Sequence, residues 1–184
     1  MKNDRLNRSE AGLLVIDVQE KLVKLVEHST EILCSMQKAI KGCQLLGLPI
    51  VITEQYPQGL GGTLPGLMSY FGDNPRVFHK TTFSCMQDPT IKQAILDLPV
   101  KQWIVIGIEA HVCVLQSAKD LLAAGKQVIV LNDAISSRSI YDFSTAIAEM
   151  RDCGARITSL ETVLFELLHD SKDPSFKAIS QLIK

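Results

Sequence analysis

Six short apolar runs are spaced along the chain, and each has the length of a β-strand. They are LLVIDV (13–18), PIVITE (49–54), RVFHK (76–80), KQWIVIG (101–107), QVIVLND (127–133) and ARITSL (155–160). Segments with apolar residues at helical spacing separate most of these runs. This alternation is typical of βα units wound into a parallel sheet. KQWIVIG is the most strand-like run, so we expect it near the centre of that sheet.

Capping residues indicate where the predicted helices begin and end. Gly47, Gly125 and Gly154 each follow a helix-period segment and are predicted to end it, as a C-terminal glycine commonly does. Asp88 and Pro89 together predict the start of another helix, because aspartate caps a helix N-terminus and proline suits its first turn.

Two further helix starts are predicted near the carboxyl terminus. Thr158 and Glu161 have the spacing of a capping box, which predicts Thr158 as the N-cap of a helix running through Leu168. Asp173 and Pro174 predict the start of the last helix. The apolar residues of that last helix are Phe176, Ile179 and Leu182.

These elements predict one domain over residues 1–184 with a Rossmann-like fold. We expect a three-layer α/β/α sandwich around a central, mostly parallel sheet of about six strands. In such sheets, ligands bind beyond the carboxyl ends of the strands. The residues predicted to lie along that rim are Asp17, Thr53, Glu54, Lys80, Cys113 and Asp133.

The net charge of the chain indicates which class of molecule it binds. The 184-residue chain has 19 Lys and Arg against 20 Asp and Glu, which gives a formal net charge of -1. We therefore expect a small-molecule substrate rather than nucleic acid or a membrane surface. The amino-terminal segment lacks the apolar core of a signal peptide, and no apolar run approaches the length of a membrane span. Both features predict a cytoplasmic protein.

The cysteines are predicted to be reduced thiols, and one of them has the position of a nucleophile. Their number, five, is odd and no C-x-x-C pair is present, which argues against a disulfide framework and a structural zinc site. Cys113 follows a buried strand at the start of a helix, where the helix dipole favours a thiolate and hence a lowered pKa. A small apolar cysteine packed in the core is the alternative.

Asp17, Lys80 and Cys113 form a chemically coherent set on the predicted rim. Asp17 could accept the thiol proton, Lys80 could hold negative charge, and Cys113 could attack an electrophilic carbon. Taken singly, Asp17 could instead cap the turn after its strand, and Lys80 could be a solvated loop charge.

Four segments of the chain together resemble the isochorismatase-like cysteine hydrolases. They are LLVIDVQEK, TEQYPQGLGGTLPGL, HKTTFSC and GIEAHVCVLQSAKDLL, and the second is similar to the isochorismatase domain-containing subgroup. The resemblance implies a catalytic triad of Asp17, Lys80 and Cys113. It also implies a cis peptide between Ile108 and Glu109, an oxyanion hole formed by the backbone N–H groups of Glu109 and Cys113, and a homo-oligomer that is a dimer or larger.

This chain differs in two ways from other members of the family that it resembles, and both differences limit the predicted chemistry. Nicotinamidase-like members hold a metal through an Asp-x-His motif, whereas this chain has TEQYPQG and four scattered histidines, so we expect no metal and no cofactor. True isochorismatases commonly have glycine at the cysteine position. The presence of Cys113 favours hydrolysis of carbon–nitrogen bonds other than peptide bonds, in a small amide or imide, through a thioester.

The predicted substrate pocket includes Gln19, Glu54, Tyr56 and Phe83, although core packing is the favoured role for Phe83. Gln19 could equally make a plain contact at a helix start. Glu109 beside an oxyanion must point away from it or bind a cationic substrate group.

His79 and His111 flank the predicted triad, but a role for either in proton transfer is not favoured. A non-catalytic ligand-binding or protein-interaction module is the alternative function. A redox sensor that uses Cys113 with Cys85 is a third possibility.

Overall fold

The computed structural model describes residues 5–71 and 75–184, so the first four residues of the polar amino-terminal segment lie outside the described part. Within it, six strands form one sheet in the order β3-β2-β1-β4-β5-β6, and every neighbouring pair is parallel. The strands are β1 (Ala11–Ile16), β2 (Ile50–Gln55), β3 (Val77–Lys80), β4 (Gln102–Ile108), β5 (Gln127–Ser136) and β6 (Arg156–Thr158). The predicted parallel sheet is confirmed, with the KQWIVIG run in a central strand.

Helices cover both faces of the sheet and complete the predicted three-layer α/β/α sandwich. They are α1 (Glu20–Val23), α2 (Ser29–Leu45), α3 (Pro57–Leu60), α4 (Pro65–Met68), α5 (Pro89–Asp97), α6 (Leu115–Ala123), α7 (Ile140–Asp152), α8 (Leu160–Leu168) and α9 (Phe176–Ile183). Two 3-10 turns (Ser69–Phe71 and Cys85–Gln87) and one π-helical turn (Ala110–Val114) lie between them. Among the described helices, none combines the length and the apolar character needed to cross a bilayer.

Each central strand contributes to two hydrophobic cores, one on each face of the sheet. Leu13 and Val15 of β1 pack with α2, α8 and α9, whereas Leu14 and Ile16 pack with α5, α6 and α7. Side chains alternate between the faces of a strand, so a strand covered on both sides must be apolar at every position. This is why β1 appears in the sequence as a continuous apolar run.

Gly107 allows β4 to approach β1 closely near the carboxyl edge of the sheet. Its φ is 135°, and a Cβ at this position would lie 2.1 Å from the carbonyl oxygen of Ile16. Only glycine fits a backbone with that φ and that contact. The ends of β1 and β4 therefore come together, and with them the segments that carry Asp17 and Cys113.

Most predicted caps are present, but the starts of α8 and α9 differ. The N-cap of α9 is Ser175, two residues after the predicted Asp173. Asp88 accepts hydrogen bonds from the backbone N–H groups of Thr90 and Ile91 at 2.9 and 3.0 Å. Thr158, the predicted N-cap of α8, lies inside β6, and the helix begins two residues later, at Leu160.

The N-terminus of α8 is satisfied from a neighbouring strand instead. Both carboxylate oxygens of Asp133 accept from the backbone N–H of Leu160, at 3.0 and 3.1 Å. Because β5 continues to Ser136, Asp133 lies within the strand rather than beyond its end. The predicted rim position of Asp133 is wrong, and its carboxylate caps a helix.

Candidate active site

Asp17, Lys80 and Cys113 meet at the carboxyl edge of the sheet. Asp17 directly follows β1, with a left-handed φ of 52°, and Lys80 is the last residue of β3. The Lys80 Nζ atom lies 2.6 Å from Asp17 Oδ2, and both side chains are fully buried. Cys113 lies in the π-helical turn after β4 and is 5% exposed, and its thiol is close enough to Asp17 for the carboxylate to raise its pKa. A carboxylate thus contacts an ammonium and lies near a thiol in a buried site.

The second oxygen of Asp17 is held by Thr53, a predicted rim residue at the end of β2. The Thr53 hydroxyl donates to Asp17 Oδ1 at 2.8 Å, and the Cys85 sulfur lies 3.8 Å from the same hydroxyl. The Cys85 backbone N–H donates to the Ser117 hydroxyl at 2.9 Å. These contacts fix the orientation of the carboxylate, so Oδ1 and Oδ2 have separate partners.

Lys80 is positioned by a second polar residue that the sequence did not reveal. Its Nζ donates to Gln55 Oε1 at 2.8 Å, and to the carbonyl oxygens of Thr82 and Phe83 at 3.3 and 3.1 Å. Gln55 is the register partner of Lys80 across β2 and β3. Its position at the end of a strand next to β3 was the only signal that could have indicated this role.

The titration behaviour of the site follows from its burial and charges. Burial is the largest single influence on the pKa of Lys80 and lowers it. The charge and hydrogen bond of Asp17, together with the nearby Cys85 and Cys113, outweigh burial, so the net shift is upward. Burial, followed by the charge of Asp17, raises the pKa of the Cys85 thiol to about 11.

The same two causes, in the same order, raise the pKa of Cys113 above its ordinary range, although the charge of Lys80 opposes them. The predicted low pKa of Cys113 is therefore wrong. In the resting site Cys113 is a neutral thiol beside an ion pair, because the adjacent carboxylate and the dry surroundings disfavour a second negative charge.

Glu109 forms an ion pair with Arg138. Its Oε1 accepts from Arg138 Nη2 at 2.5 Å and its Oε2 accepts from Arg138 Nε at 2.9 Å. Hydrogen bonds from Arg138 hold the pKa of Glu109 below its usual range, against the effect of burial. The peptide bond between Ile108 and Glu109 is cis. The Glu109 carboxylate is thus bound by a cationic side chain of the protein itself.

Gln19 and Glu54, two predicted pocket residues, hold the loop after β2 in place. The Gln19 side chain donates to the carbonyl oxygens of Gln55 and Gly61 at 2.9 and 2.6 Å, and accepts from the Gln55 backbone N–H at 2.7 Å. Glu54 Oε1 accepts from the backbone and the hydroxyl of Thr63 at 2.6 and 2.8 Å. Both side chains bind backbone of the segment that covers the site.

Tyr56 and Phe83, the other predicted pocket residues, lie at the protein surface. Each is 54% exposed, so core packing, the favoured role for Phe83, is wrong. The carbonyl group of Phe83 turns inward to Lys80, which leaves the ring outside. Tyr56 lines a cavity of about 220 Å³ that reaches Lys80 and His79.

The histidines that flank the triad have other partners. His79 Nε2 lies 3.2 Å from Glu54 Oε2, and His111 Nδ1 lies 2.9 Å from the Ser137 hydroxyl. Within residues 5–71 and 75–184, no three His, Cys, Asp or Glu side chains are grouped so that they could hold a metal ion. Cys85 and Cys113 are both free thiols.

A polar, partly ionised site at the carboxyl edge of a parallel sheet is typical of α/β enzymes. A model of the isochorismatase domain matches residues 11–162. The secreted isochorismatase effector Isc1 of Phytophthora sojae is 37% identical over 183 residues, which cover 98% of this chain and 87% of that protein. Isochorismatase domain-containing protein 1 of Danio rerio is 38% identical over 169 residues, which cover 91% of this chain but 59% of the fish protein.

A solved structure agrees with these relatives. The structure of MAR1 ribonuclease from Caenorhabditis elegans superposes with a TM-score of 0.92 at 39% identity, covering 97% of this chain and 92% of that one. Fold and site thus define an α/β hydrolase. The chain belongs to the isochorismatase family.

Proposed function

We propose that the protein is a cysteine-dependent hydrolase of a small amide, imide or related carbon–nitrogen substrate. One observation carries the proposal, which is the burial of the Cys113 thiol near a carboxylate that is itself paired with Lys80. A thiol, a base and a fixed positive charge in one dry site are the groups that nucleophilic acyl transfer needs. No metal or other cofactor takes part in the proposed reaction.

The reaction begins with transfer of the Cys113 proton to Asp17 as the sulfur attacks the carbonyl carbon. Because the resting thiol is neutral, proton transfer and attack occur together rather than from a stored thiolate. Lys80 keeps its proton, since its pKa is raised, and its charge stabilises the negative charge on the sulfur. The backbone N–H groups of Glu109 and Cys113 stabilise the oxyanion of the tetrahedral intermediate.

The second half of the reaction restores the enzyme. The intermediate collapses, the carbon–nitrogen bond breaks, and Asp17 returns the proton to the leaving nitrogen, which leaves a thioester on Cys113. Asp17 then takes a proton from water as the water attacks the thioester. The acid departs and the proton returns to the sulfur. Asp17 therefore serves as base and acid in turn, and Thr53 keeps its carboxylate oriented throughout.

The test replaces the nucleophile and follows both turnover and the covalent intermediate. Cys113→Ala and Cys113→Ser should lower hydrolysis of small amides and imides by about 10³-fold or more, because the covalent route is removed. Cys34→Ala, at an exposed thiol, is the matched control and should retain wild-type turnover. Intact mass after an acid quench should show the acyl adduct on Cys113 in the wild type.

A ligand-binding module without catalysis is the rival outcome of this experiment. If Cys113→Ala turns over the same substrates at the wild-type rate, the scheme is wrong. If the wild-type protein binds small amides with no adduct and no turnover, the site is a binding site, and its buried neutral thiol is then simply a packed side chain.

RNA hydrolysis is a second candidate function, because the C. elegans protein of known structure is named a ribonuclease and is 39% identical to this chain. A net charge of -1 gives little attraction to phosphates, so we favour a small molecule. Incubation of a labelled single-stranded RNA with wild type and Cys113→Ala distinguishes the two. Cleavage by the wild type alone would make RNA the substrate.

We also propose that the protein is cytoplasmic and works as a homo-oligomer, a dimer or larger, without nucleic acid or membrane partners. Two exposed apolar side chains at the start of α7, Ile140 and Tyr141, support self-association because they are 54% and 81% exposed. A single monomeric mass in light scattering would contradict the oligomer.

A further inference from the structure

The segment that carries the proposed oxyanion donors is held by the loop that follows β5. This segment runs from residue 109 to residue 113 and contains the Glu109 and Cys113 backbone N–H groups. Its neighbour is the loop at residues 137–138, because β4 and β5 are adjacent and both end at this edge of the sheet. Two side-chain contacts join the two pieces of backbone.

The stronger contact is the ion pair of Glu109 with Arg138. The guanidinium donates to both carboxylate oxygens, at 2.5 and 2.9 Å, in a bidentate arrangement. The Arg138 backbone N–H donates to Glu109 Oε2 as well, at 3.2 Å. Glu109 is 5% exposed, whereas the Arg138 side chain is 56% exposed. Bidentate arginine–carboxylate pairs fix orientation as well as distance.

The second contact is the hydrogen bond between His111 Nδ1 and the Ser137 hydroxyl at 2.9 Å. The loop is anchored on its other side, since the Ser137 carbonyl accepts from the Glu27 backbone N–H at 3.2 Å. The Ser136 hydroxyl also donates to the Glu27 carbonyl oxygen at 2.8 Å. The loop after β5 is thus held in place on one side, and on the other side it binds the segment at residues 109–113.

The pairing also removes an electrostatic obstacle. A carboxylate on the residue that supplies an oxyanion donor would oppose the negative charge that develops on the substrate oxygen. Arg138 binds both oxygens of the Glu109 carboxylate and compensates its charge. Hydrogen bonds from Arg138 also keep the pKa of Glu109 low, so the pair stays ionised at neutral pH.

We propose that Arg138 is a positioning residue, which holds the Glu109 backbone N–H in place for the oxyanion and keeps the Glu109 carboxylate away from it. This inference rests on the proposed acyl transfer at Cys113. It assigns to Arg138 no contact with the substrate. Substitution of Arg138 must therefore slow the steps that form an oxyanion and leave the rates of other steps unchanged.

Two reactions of the same thiol separate these cases. Acetylation of Cys113 by p-nitrophenyl acetate passes through a tetrahedral oxyanion, whereas alkylation by iodoacetamide is a displacement at carbon without one. Arg138→Ala should slow acetylation by about 10–100-fold, as misplacement of an oxyanion donor does. Alkylation of Cys113, followed by peptide mapping at the same pH, should stay at the wild-type rate. Arg138→Lys should fall between, because lysine keeps the charge but not the bidentate geometry.

Arg151→Ala is the matched control, since Arg151 is an exposed arginine in the last turn of α7. It should leave both rates unchanged. The inference is overturned if Arg138→Ala is acetylated as fast as wild type, or if acetylation and alkylation fall together, which would indicate a general loss of structure. A wild-type protein that is never acetylated at Cys113 would overturn the proposed function, and the role of Arg138 with it.

Discussion

At the scale of single residues, the central feature is a neutral thiol beside a buried ion pair. Asp17 and Lys80 contact each other at 2.6 Å, and Thr53 donates to the other oxygen of Asp17. Lys80 also donates to Gln55 and to two backbone carbonyl oxygens. Breaking a buried pair by removing one partner is usually costly, because the other charge is left without compensation. Before a substrate binds, the Cys113 sulfur therefore carries a proton and the Lys80 nitrogen carries a positive charge.

This arrangement predicts that Asp17→Asn moves two activities of Cys113 in opposite directions. Loss of the carboxylate removes a charge that raises the pKa of Cys113 and leaves Lys80, which lowers it. At about pH 8, near the ordinary pKa of a thiol, alkylation by iodoacetamide should become faster than in wild type. Hydrolysis should fall by about 10²–10⁴-fold, because the base is lost.

Peptide mapping of the label and a substrate assay on the same preparation measure the two effects. Asp142→Asn, a substitution in the first turn of α7, is the control and should change neither rate. Slower alkylation in Asp17→Asn would show that the carboxylate activates the resting thiol, contrary to the raised pKa.

At the scale of secondary-structure elements, helix ends are satisfied by side chains that sequence spacing does not identify. Capping boxes are local, whereas the first N–H of α8 is bound by Asp133 from β5, 27 residues earlier. The strand pairing of β5 with β6 brings this carboxylate to the helix. A negative charge at a helix N-terminus is also favoured by the helix dipole.

Asp133→Ala should therefore lower stability without lowering catalysis. The expected loss in the free energy of unfolding is about 1–2 kcal/mol, the usual cost of removing an N-terminal cap. Asp133→Asn should recover most of it, because the amide oxygen can still accept from Leu160. Urea unfolding and initial rates of the three proteins provide the comparison. If Asp133→Ala keeps wild-type stability but loses turnover, Asp133 belongs to the active site after all.

At the scale of the whole molecule, buried thiols link stability to pH. Burial raises the pKa of Cys43 to about 12 and contributes most to the value of about 11 for Cys85. In the unfolded chain such thiols ionise near pH 8.5, their approximate ordinary value. Between that pH and the folded pKa, the unfolded state binds fewer protons than the folded state, so stability falls as pH rises. The contribution is fully present below the unfolded pKa.

The free energy of unfolding should consequently decline between about pH 8.5 and about pH 11, the folded pKa of Cys85, by up to ~1.4 kcal/mol per pH unit for each such thiol. Cys43→Ala should be less stable at neutral pH because of the cavity, yet lose stability less steeply above about pH 8.5. Cys34→Ala, at an exposed thiol, should keep the wild-type slope. Urea titrations at several pH values measure these slopes. Identical slopes for wild type and Cys43→Ala would contradict the linkage.

The layers of the fold follow from the amino-acid sequence alone. Continuous apolar runs such as residues 102–108 require burial on both faces, and alternation with helical segments then leaves a parallel sheet as the solution. The rule that ligands bind at the carboxyl ends of strands, together with the family resemblance, selected Asp17, Lys80 and Cys113. The structure brings these three together because β1, β3 and β4 all end at one edge.

The partners of each group in the site, and therefore its titration, depend on how the elements pack. Gln55 contacts Lys80, and Arg138 contacts Glu109. In each case the two residues come from separate segments, and no local spacing encodes the contact. The pKa of Cys113 shows the same limit. Its place near a helix start suggests a thiolate, but the burial and the Asp17 charge that raise its pKa come from the packed fold. Local pattern specifies elements, while desolvation and charge contacts exist only once the elements have packed.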